Sequence, residues 1–243
     1  MKKLNHYAFV ASSLLLMLLT SCGEEKKKDS QEGVLQEELS GKEVEPQVLM
    51  ENEYAEVIKI SLAPGDFQAA HEGADRVIYS LTNYSIDWEE NGVNLGTKTW
   101  KAGDAHFHKA GKHGAKNNGN TNAEWLVFIK KSDVLPDCED NTLENDVSTV
   151  APEFANLLFE NDDFRMVEVT LPAGEKIPIH SGINRIIYSL SDYQITYESD
   201  EEGIGEKQFK TGNVHWHEAC QHALTNTGNS DAKFLVVSFK KKG

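Results

Sequence analysis

Arginine is scarce in this 243-residue sequence, which has three arginines, at positions 76, 165 and 185, among its 24 basic residues. Acidic residues number 39, and the formal net charge at pH 7 is −15. A chain with this balance is repelled by phosphate backbones and by anionic lipid surfaces. The composition therefore argues against nucleic acid as a partner.

Cysteines are few as well. They are Cys22, Cys138 and Cys220, and an exported protein permits a disulfide between the last two, although their spacing does not require one. The apolar run Ala8–Leu19 is too short and too weakly flanked to cross a membrane as a helix. No Ser-His-Asp order, Walker-type loop or dinucleotide-binding fingerprint stands out in the sequence.

The N-terminus has the pattern of a secretory signal, with two lysines before the apolar run and the sequence Leu-Thr-Ser-Cys closing it at Cys22. These four residues resemble the lipobox of bacterial lipoproteins, which implies cleavage before Cys22 and acylation of its thiol. The alternative is an ordinary signal peptide with an incidental cysteine. We therefore predict a lipoprotein signal peptide at residues 1–21 and an exported protein of the bacterial cell envelope that contacts the membrane only through its lipid anchor. The charged stretch 22–46 is predicted to be a disordered tether.

Most of the remaining chain is a tandem repeat with a constant shift of 109 residues, without a gap from Leu49/Leu158 to Lys131/Lys240. About a third of the paired positions are identical. Eight of the nine histidines belong to the repeat, four in each copy: His71, His106, His108 and His113 recur as His180, His215, His217 and His222. This duplication indicates two similar domains, each with a polar pocket that could bind a metal.

Each copy is a succession of short apolar or alternating runs, which Gly, Pro, Asn and Asp separate at intervals of about 8–12 residues. Neither copy shows a convincing helical period. The pattern predicts an all-β fold with two antiparallel barrels, at residues 47–131 and 156–243, joined by a connector at residues 132–155.

Two motifs in each copy resemble the motifs of the cupin family. The first copy matches them at Gly65, His71, Arg76–Leu81, Gly103, His113, Asn117 and Gly119, and the second copy at Gly174, His180, Arg185–Leu190, Gly212, His222, Asn226 and Gly228. The resemblance covers nearly all of residues 48–240 and implies a jelly-roll barrel in each copy, that is, a bicupin. The usual first motif has His-x-His followed by Glu as metal ligands. In this chain Arg76 and Arg185 stand in the place of the glutamate, where a cation repels a metal.

Against this loss, each copy gains a His-x-His pair just before the second motif. Residues i and i+2 of a strand point to the same face, about 7 Å apart, so two such imidazoles can converge on one ion with the two motif histidines. We predict eight metal ligands: His71, His106, His108, His113, His180, His215, His217 and His222. Histidine-rich sites suit Zn, Fe, Cu or Ni better than Mg or Ca. The alternative is that these histidines line a pocket and form hydrogen bonds without a metal.

The two repeated arginines are candidate substrate-binding residues, because the guanidinium fork of Arg76 or Arg185 suits a carboxylate or phosphate. An internal ion pair, for example with Glu51 or Glu160, is the alternative. Strand alternation places Arg76 and Ile78 on one face and Tyr79 on the other.

Two functions follow from these residues. One is a metal-dependent oxygenase or isomerase that acts on a small carboxylate, as the resemblance to histidine-rich cupins implies. The other is a non-catalytic module that binds a small anionic molecule or a metal ion, and the loss of the usual glutamate ligand supports it. The fold alone does not choose between them, since it hosts many functions.

Overall fold

The computed structural model of the chain describes residues 41–136, 143–199, 203–218 and 220–241. Eighteen β-strands and one short α-helix are present in these residues. The predicted all-β fold of two antiparallel barrels is confirmed.

The first barrel consists of nine strands numbered in chain order. They are β1 (Gln47–Glu51), β2 (Ala55–Leu62), β3 (Phe67–Gly73), β4 (Arg76–Ser80), β5 (Tyr84–Glu90), β6 (Val93–Trp100), β7 (Ala105–His108), β8 (Gly111–Asn117) and β9 (Ala123–Lys130). They pair in two sheets with the strand orders β1-β2-β9-β4-β7 and β3-β8-β5-β6. Apolar side chains from both sheets form one core, which contains Ile78, Trp88 and Trp125.

The second barrel repeats this arrangement. Its strands are β10 (Ala155–Glu160), β11 (Phe164–Leu171), β12 (Lys176–His180), β13 (Arg185–Ser189), β14 (Tyr193–Ser199), β15 (Gly203–Phe209), β16 (Val214–His217), β17 (His222–Asn226) and β18 (Ala232–Phe239). The sheet orders are β10-β11-β18-β13-β16 and β12-β17-β14-β15. The barrel core contains Ile177, Ile195 and Phe234.

The strands β4 and β13 are buried on both faces. Ile78 packs in the core of the first barrel, whereas Val77 and Tyr79 pack with Ile186 and Tyr188 in a further core between the barrels. Because alternate residues of a strand face opposite sides, Arg76 lies on the side of Ile78, inside the barrel. Both faces of each strand are therefore largely apolar, apart from the arginine and the serine that point into the barrel.

The connector is attached to the second barrel. It contains a 3₁₀ turn at Leu143–Asn145 and the helix α1 (Val147–Val150). The carboxylate of Asp146 caps the helix by accepting a hydrogen bond from the backbone N–H of Ser148 at 3.0 Å. Val147 is buried in the core of the second barrel. In addition, the backbone N–H of Ser181 donates to the carbonyl of Asn145 at 2.9 Å.

The chain contacts the first barrel before residue 47. Glu43 forms a β-bridge with Phe67, and Val44 packs against the barrel core. The end of the segment predicted as a tether is therefore ordered by one apolar side chain and a backbone pairing. The rest of that segment up to residue 40, the predicted signal peptide with the acylation site Cys22, and Cys138 lie outside the described residues. Within the described ranges, no helix has the length and apolar character needed to cross a membrane.

Candidate functional site

Four strands of each barrel position the histidines and the arginine. The register sets His71 opposite His113 between β3 and β8, and Arg76 opposite His108 between β4 and β7. The second barrel has the same register, with His180 opposite His222 and Arg185 opposite His217. Residues of the two repeats that are far apart in sequence are thus brought to one region of each barrel.

The interior of the second barrel contains a cavity of about 590 Å³. All four histidines of this copy lie in its wall, together with Arg185: His180, His215, His217 and His222. Strand alternation places His215 and His217 on the same face of their strand, and this face points into the barrel. Three of the imidazoles are close together, because the ring of His222 lies 4.2 Å from that of His180 and 4.8 Å from that of His217, measured between centroids.

The histidines of the first barrel are similarly close. The rings of His71 and His113 are 4.3 Å apart, and those of His106 and His108 are 5.0 Å apart. Trp88 lies against this group, 4.7 Å from His108 and 5.2 Å from His113. The structure therefore brings together the histidines that the repeat singled out, in both copies.

Backbone carbonyl groups fix the orientation of most of these rings. A carbonyl oxygen can only accept, so each Nδ1 that faces one must donate its hydrogen. This holds for His71 with Ala69 at 2.9 Å and for His180 with Pro178 at 2.9 Å. The same contact is 3.2 Å for His113 and His222 and 2.8 Å for His217. The Nε2 atom of each of these rings then carries the lone pair.

In the second barrel, two of these lone pairs already accept hydrogen bonds. The hydroxyl of Tyr197 donates to Nε2 of His217 at 3.2 Å. The Nη2 atom of Arg185 donates to Nε2 of His222 at 3.1 Å. The residue at the position of Tyr197 in the first barrel is Trp88, which has no hydroxyl, so the first barrel cannot form the corresponding bond.

Seven of the imidazoles are neutral at pH 7, because burial lowers their pKa. Burial lowers the pKa of His106, His113, His180 and His215 to about 4 each. Burial also lowers the pKa of His108 and His217 to about 3, and that of His222 below its usual range. The nearby arginine also lowers the pKa in each of these cases, and at His180 the hydrogen bond to the carbonyl of Pro178 raises the pKa and so opposes burial. A neutral imidazole whose Nδ1–H is bonded to a backbone carbonyl presents a lone pair at Nε2, which accepts a hydrogen bond but cannot donate one.

The arginines are deeply buried, each only 4% exposed. Burial lowers the pKa of each guanidinium to about 10, which leaves it cationic at pH 7. Arg76 donates to the carbonyls of Ala74 at 2.9 Å and Lys109 at 3.3 Å. Arg185 donates to the carbonyls of Gly182 and Ile183, both at 3.2 Å.

The alternative of an internal ion pair for these arginines is wrong with respect to Glu51 and Glu160. Glu51 pairs with Lys131 at 2.6 Å, and Glu160 pairs with Lys240 at 2.7 Å. Among the described residues, no carboxylate lies within ion-pair distance of Arg76 or Arg185. The buried guanidinium of Arg185, hydrogen-bonded to neutral groups, therefore lies in the wall of the cavity in the second barrel.

The donor set of the second barrel does not fit a metal ion as it is arranged. The lone pairs of His217 and His222 accept from Tyr197 and Arg185, and a divalent cation at these rings would face the guanidinium. In neither barrel do the described residues contain a group of three or more His, Cys, Asp or Glu side chains arranged to hold a metal. The assignment of the eight histidines as metal ligands stays a prediction.

Sequence reasoning did not single out three residues of the site. Tyr197 fixes the ring of His217, Asp146 reaches the cavity wall from the connector, and Lys207 lies over the ring of Tyr197 with its Nζ 4.2 Å from the centroid. The feature of the sequence that could have identified Tyr197 is the exchange of Trp88 in the first copy for tyrosine in the second. Asp146 lies outside the aligned repeat, so it gave no such signal.

No family model and no curated protein matches this sequence. Among solved structures, the chain is similar to AerE from Microcystis aeruginosa, with 18% identity and a TM-score of 0.56 over 80% of this chain and 96% of that one. It is also similar to the oxalate decarboxylase of Lactobacillus farciminis in its formate complex, with 13% identity and a TM-score of 0.54 over 78% of each chain. At these identities the similarity shows the fold, which is that of two tandem cupin β-barrels.

A third structure bears on the metal. The oxalate decarboxylase of Bacillus subtilis, described for its Mn(II) centres, has 13% identity and a TM-score of 0.55 over 79% of this chain and 70% of that one. The fold can therefore hold a transition metal. Whether this chain does so depends on its own residues.

Proposed function

We propose that this protein is a lipid-anchored bicupin whose second barrel binds a small anionic molecule without a metal. The observation that carries the proposal is Arg185, a buried guanidinium in the wall of a cavity of about 590 Å³, with no carboxylate of the described residues as its partner. Burying a charge without a counter-ion is costly. A ligand carboxylate that pairs with the guanidinium would offset this cost.

The histidines support the same reading. His222 accepts from Arg185 and His217 accepts from Tyr197, so hydrogen bonds hold the rings and the guanidinium in place before a ligand arrives. The imidazoles are neutral and hold the guanidinium without adding positive charge, and the Nδ1–H groups of His180, His217 and His222 are already bonded to backbone carbonyls, so Arg185 is the donor available to an anion beside these rings. This arrangement suits one anionic group at Arg185.

A metal-dependent oxygenase or isomerase that acts on a small carboxylate is the second candidate. The orientation of His71 and His113 favours it, since a histidine that binds a metal through Nε2 usually donates Nδ1–H to a carbonyl or carboxylate. Zn, Fe, Cu or Ni would be the ion, held by histidines of the first barrel. A stoichiometric metal that disappears in the His113→Gln variant would establish this candidate.

Titration calorimetry on the mature protein tests the main proposal. We expect monocarboxylates to bind the protein after chelator treatment, with one site per chain. Elemental analysis of the same sample gives the metal content. Binding that needs added Zn, Fe, Cu or Ni would contradict the proposal and favour the second candidate, and the absence of binding to any carboxylate would exclude both the ligand class and the role of Arg185.

We further propose that Cys22 is the acylated N-terminus of the mature protein and places it at the cell envelope. The support is the Leu-Thr-Ser-Cys sequence at the end of an apolar run. The Cys22→Ala variant should appear in the soluble fraction or keep its leader, as measured by cell fractionation and the mass of the intact protein. Normal processing and membrane association of that variant would contradict the anchor, and Cys220→Ala is the control for loss of a thiol.

A further inference from the structure

The cavity of the second barrel has two chemically different parts. Its polar residues include Arg185, His180, His217 and His222. Its remaining wall is largely apolar and belongs to the core of the barrel, with Ile177, Ile187, Ile195, Leu224, Phe234 and Val236. Lys207, Asp146 and Glu218 also line the polar part, and the space runs from the buried Arg185 into the hydrophobic interior of the barrel.

The first barrel has bulkier side chains at three equivalent positions. The constant shift of 109 residues pairs Trp88 with Tyr197, Trp100 with Phe209, and Trp125 with Phe234. These are three of the four tryptophans in the chain. Trp88 and Trp100 pack directly on histidines of the first barrel, with Trp100 lying 4.9 Å from His106. In the second barrel Phe209 stacks on His215 in the same way, at 5.1 Å, and both Phe209 and Phe234 line the cavity.

We infer that the second barrel takes an amphipathic carboxylate, with the anionic group on Arg185 and an apolar body of several carbon atoms in the space that smaller aromatic residues leave open. The inference rests on the proposed function and specifies its ligand class. Phe209 and Phe234 are specificity-determining residues in this view, because their size sets the room for the apolar body. The first barrel, with tryptophan at these positions, is not a site for such a ligand.

The chemistry of the wall argues against a small dicarboxylate. Oxalate could face Lys207 of the wall with its second carboxylate, but it has no apolar group to place in the hydrophobic part of the cavity. It would also leave most of the apolar wall without contact. A hydrocarbon chain gains free energy from each methylene group that it removes from water, and a cavity of this volume lies within the ordinary range for small-molecule sites.

Calorimetry with acetate, butanoate, hexanoate, octanoate and oxalate tests the inference on the full mature chain. We expect the affinity to rise about fourfold for each added methylene group until the chain fills the cavity, and oxalate to bind no better than acetate. If acetate, oxalate and octanoate bind equally through Arg185, the inference is overturned and the proposed function stands. If none of them binds, the proposed function itself fails, and this inference fails with it.

Filling the cavity provides an independent test. Phe234→Trp should weaken octanoate binding at least tenfold and leave acetate binding nearly unchanged. The matched control is Trp125→Phe, the reverse exchange at the same position of the first barrel, which should leave both affinities unchanged. Because an added indole can strain a packed core, Phe209→Trp on the edge strand β15 is the second variant. Unchanged octanoate affinity in either folded variant would overturn the inference, and if neither variant folds, the chain-length series decides.

Discussion

Replacing Asn226 by alanine should lower the free energy of unfolding by about 3–5 kcal/mol, a large part of the stability of an ordinary domain. The side chain is completely buried. Its Nδ2 donates to the carbonyls of Leu171 at 2.9 Å and Ser230 at 2.8 Å, and its Oδ1 accepts from the N–H of Gly228 at 3.0 Å. The variant removes the side-chain donor of the two carbonyls, whereas the N–H of Gly228 keeps its second acceptor, the carbonyl of Gln194 at 3.1 Å. Each unsatisfied buried group costs about 1–3 kcal/mol. Urea unfolding followed by circular dichroism measures the change.

The repeat provides the controls for this prediction. Asn117 makes the equivalent contacts with Leu62, Thr121 and Gly119 in the first barrel, so Asn117→Ala should cause a similar loss. Asn120 and Asn229 are also paired by the repeat, but both are exposed, and their alanine variants should change the free energy of unfolding by less than about 0.5 kcal/mol. Equal stability of the buried and exposed variants would show that these asparagines do not hold the turns.

The repeat explains why the fold could be predicted from sequence. Two copies of one weak pattern, related by one shift, reinforce each other, and alternation within strands such as β2 and β5 adds a second signal. Strand β3 gave less signal, because its residues from Ala69 to Glu72 are exposed and lack branched apolar side chains. It became a strand through its pairing with β8, which is a tertiary effect.

The histidine site was predictable in composition but not in its hydrogen bonds. Strand parity was sufficient to place His215 and His217 on one face. The lone pair of His222, however, accepts from Arg185, and that contact depends on side-chain positions across two sheets. The same limit applies to the arginines, for which the sequence left a ligand and an ion pair with Glu160 both open. The structure excludes the ion pair with Glu160, because that glutamate pairs with Lys240 instead.

The cavity itself could not be predicted. The paired positions 125 and 234 are both aromatic, with tryptophan in the first copy and phenylalanine in the second. Either residue is compatible with a packed barrel core. Only the packed structure shows that the phenylalanine lies at the wall of an open space. An exchange of tryptophan for phenylalanine between the copies therefore indicates a cavity only when the structure shows that both positions face the interior of their barrel.

Arg185→Met should reduce the affinity for a carboxylate ligand by about 100-fold or more, or roughly 3 kcal/mol, because the variant removes the buried cation with which the ligand pairs. Methionine keeps the length and apolar stem of the side chain, so the wall of the cavity changes little in shape. Arg185→Lys should recover only part of the affinity, since lysine keeps the charge but loses the planar fork that binds a carboxylate at two points. Calorimetry with octanoate measures all three proteins.

The matched control is Arg76→Met in the first barrel. Arg76 has the same burial and the same kind of carbonyl partners as Arg185, so the two variants should lose similar amounts of stability. They should differ in binding, because Arg185 lies in the wall of the partly apolar cavity, whereas Arg76 lies near His113 in the barrel that has tryptophan at the equivalent positions. If Arg76→Met and Arg185→Met weaken binding equally, the ligand is shared between the barrels or the loss reflects stability alone. If Arg185→Met binds like the unmodified protein, the anion does not pair with this guanidinium and the proposed site is wrong.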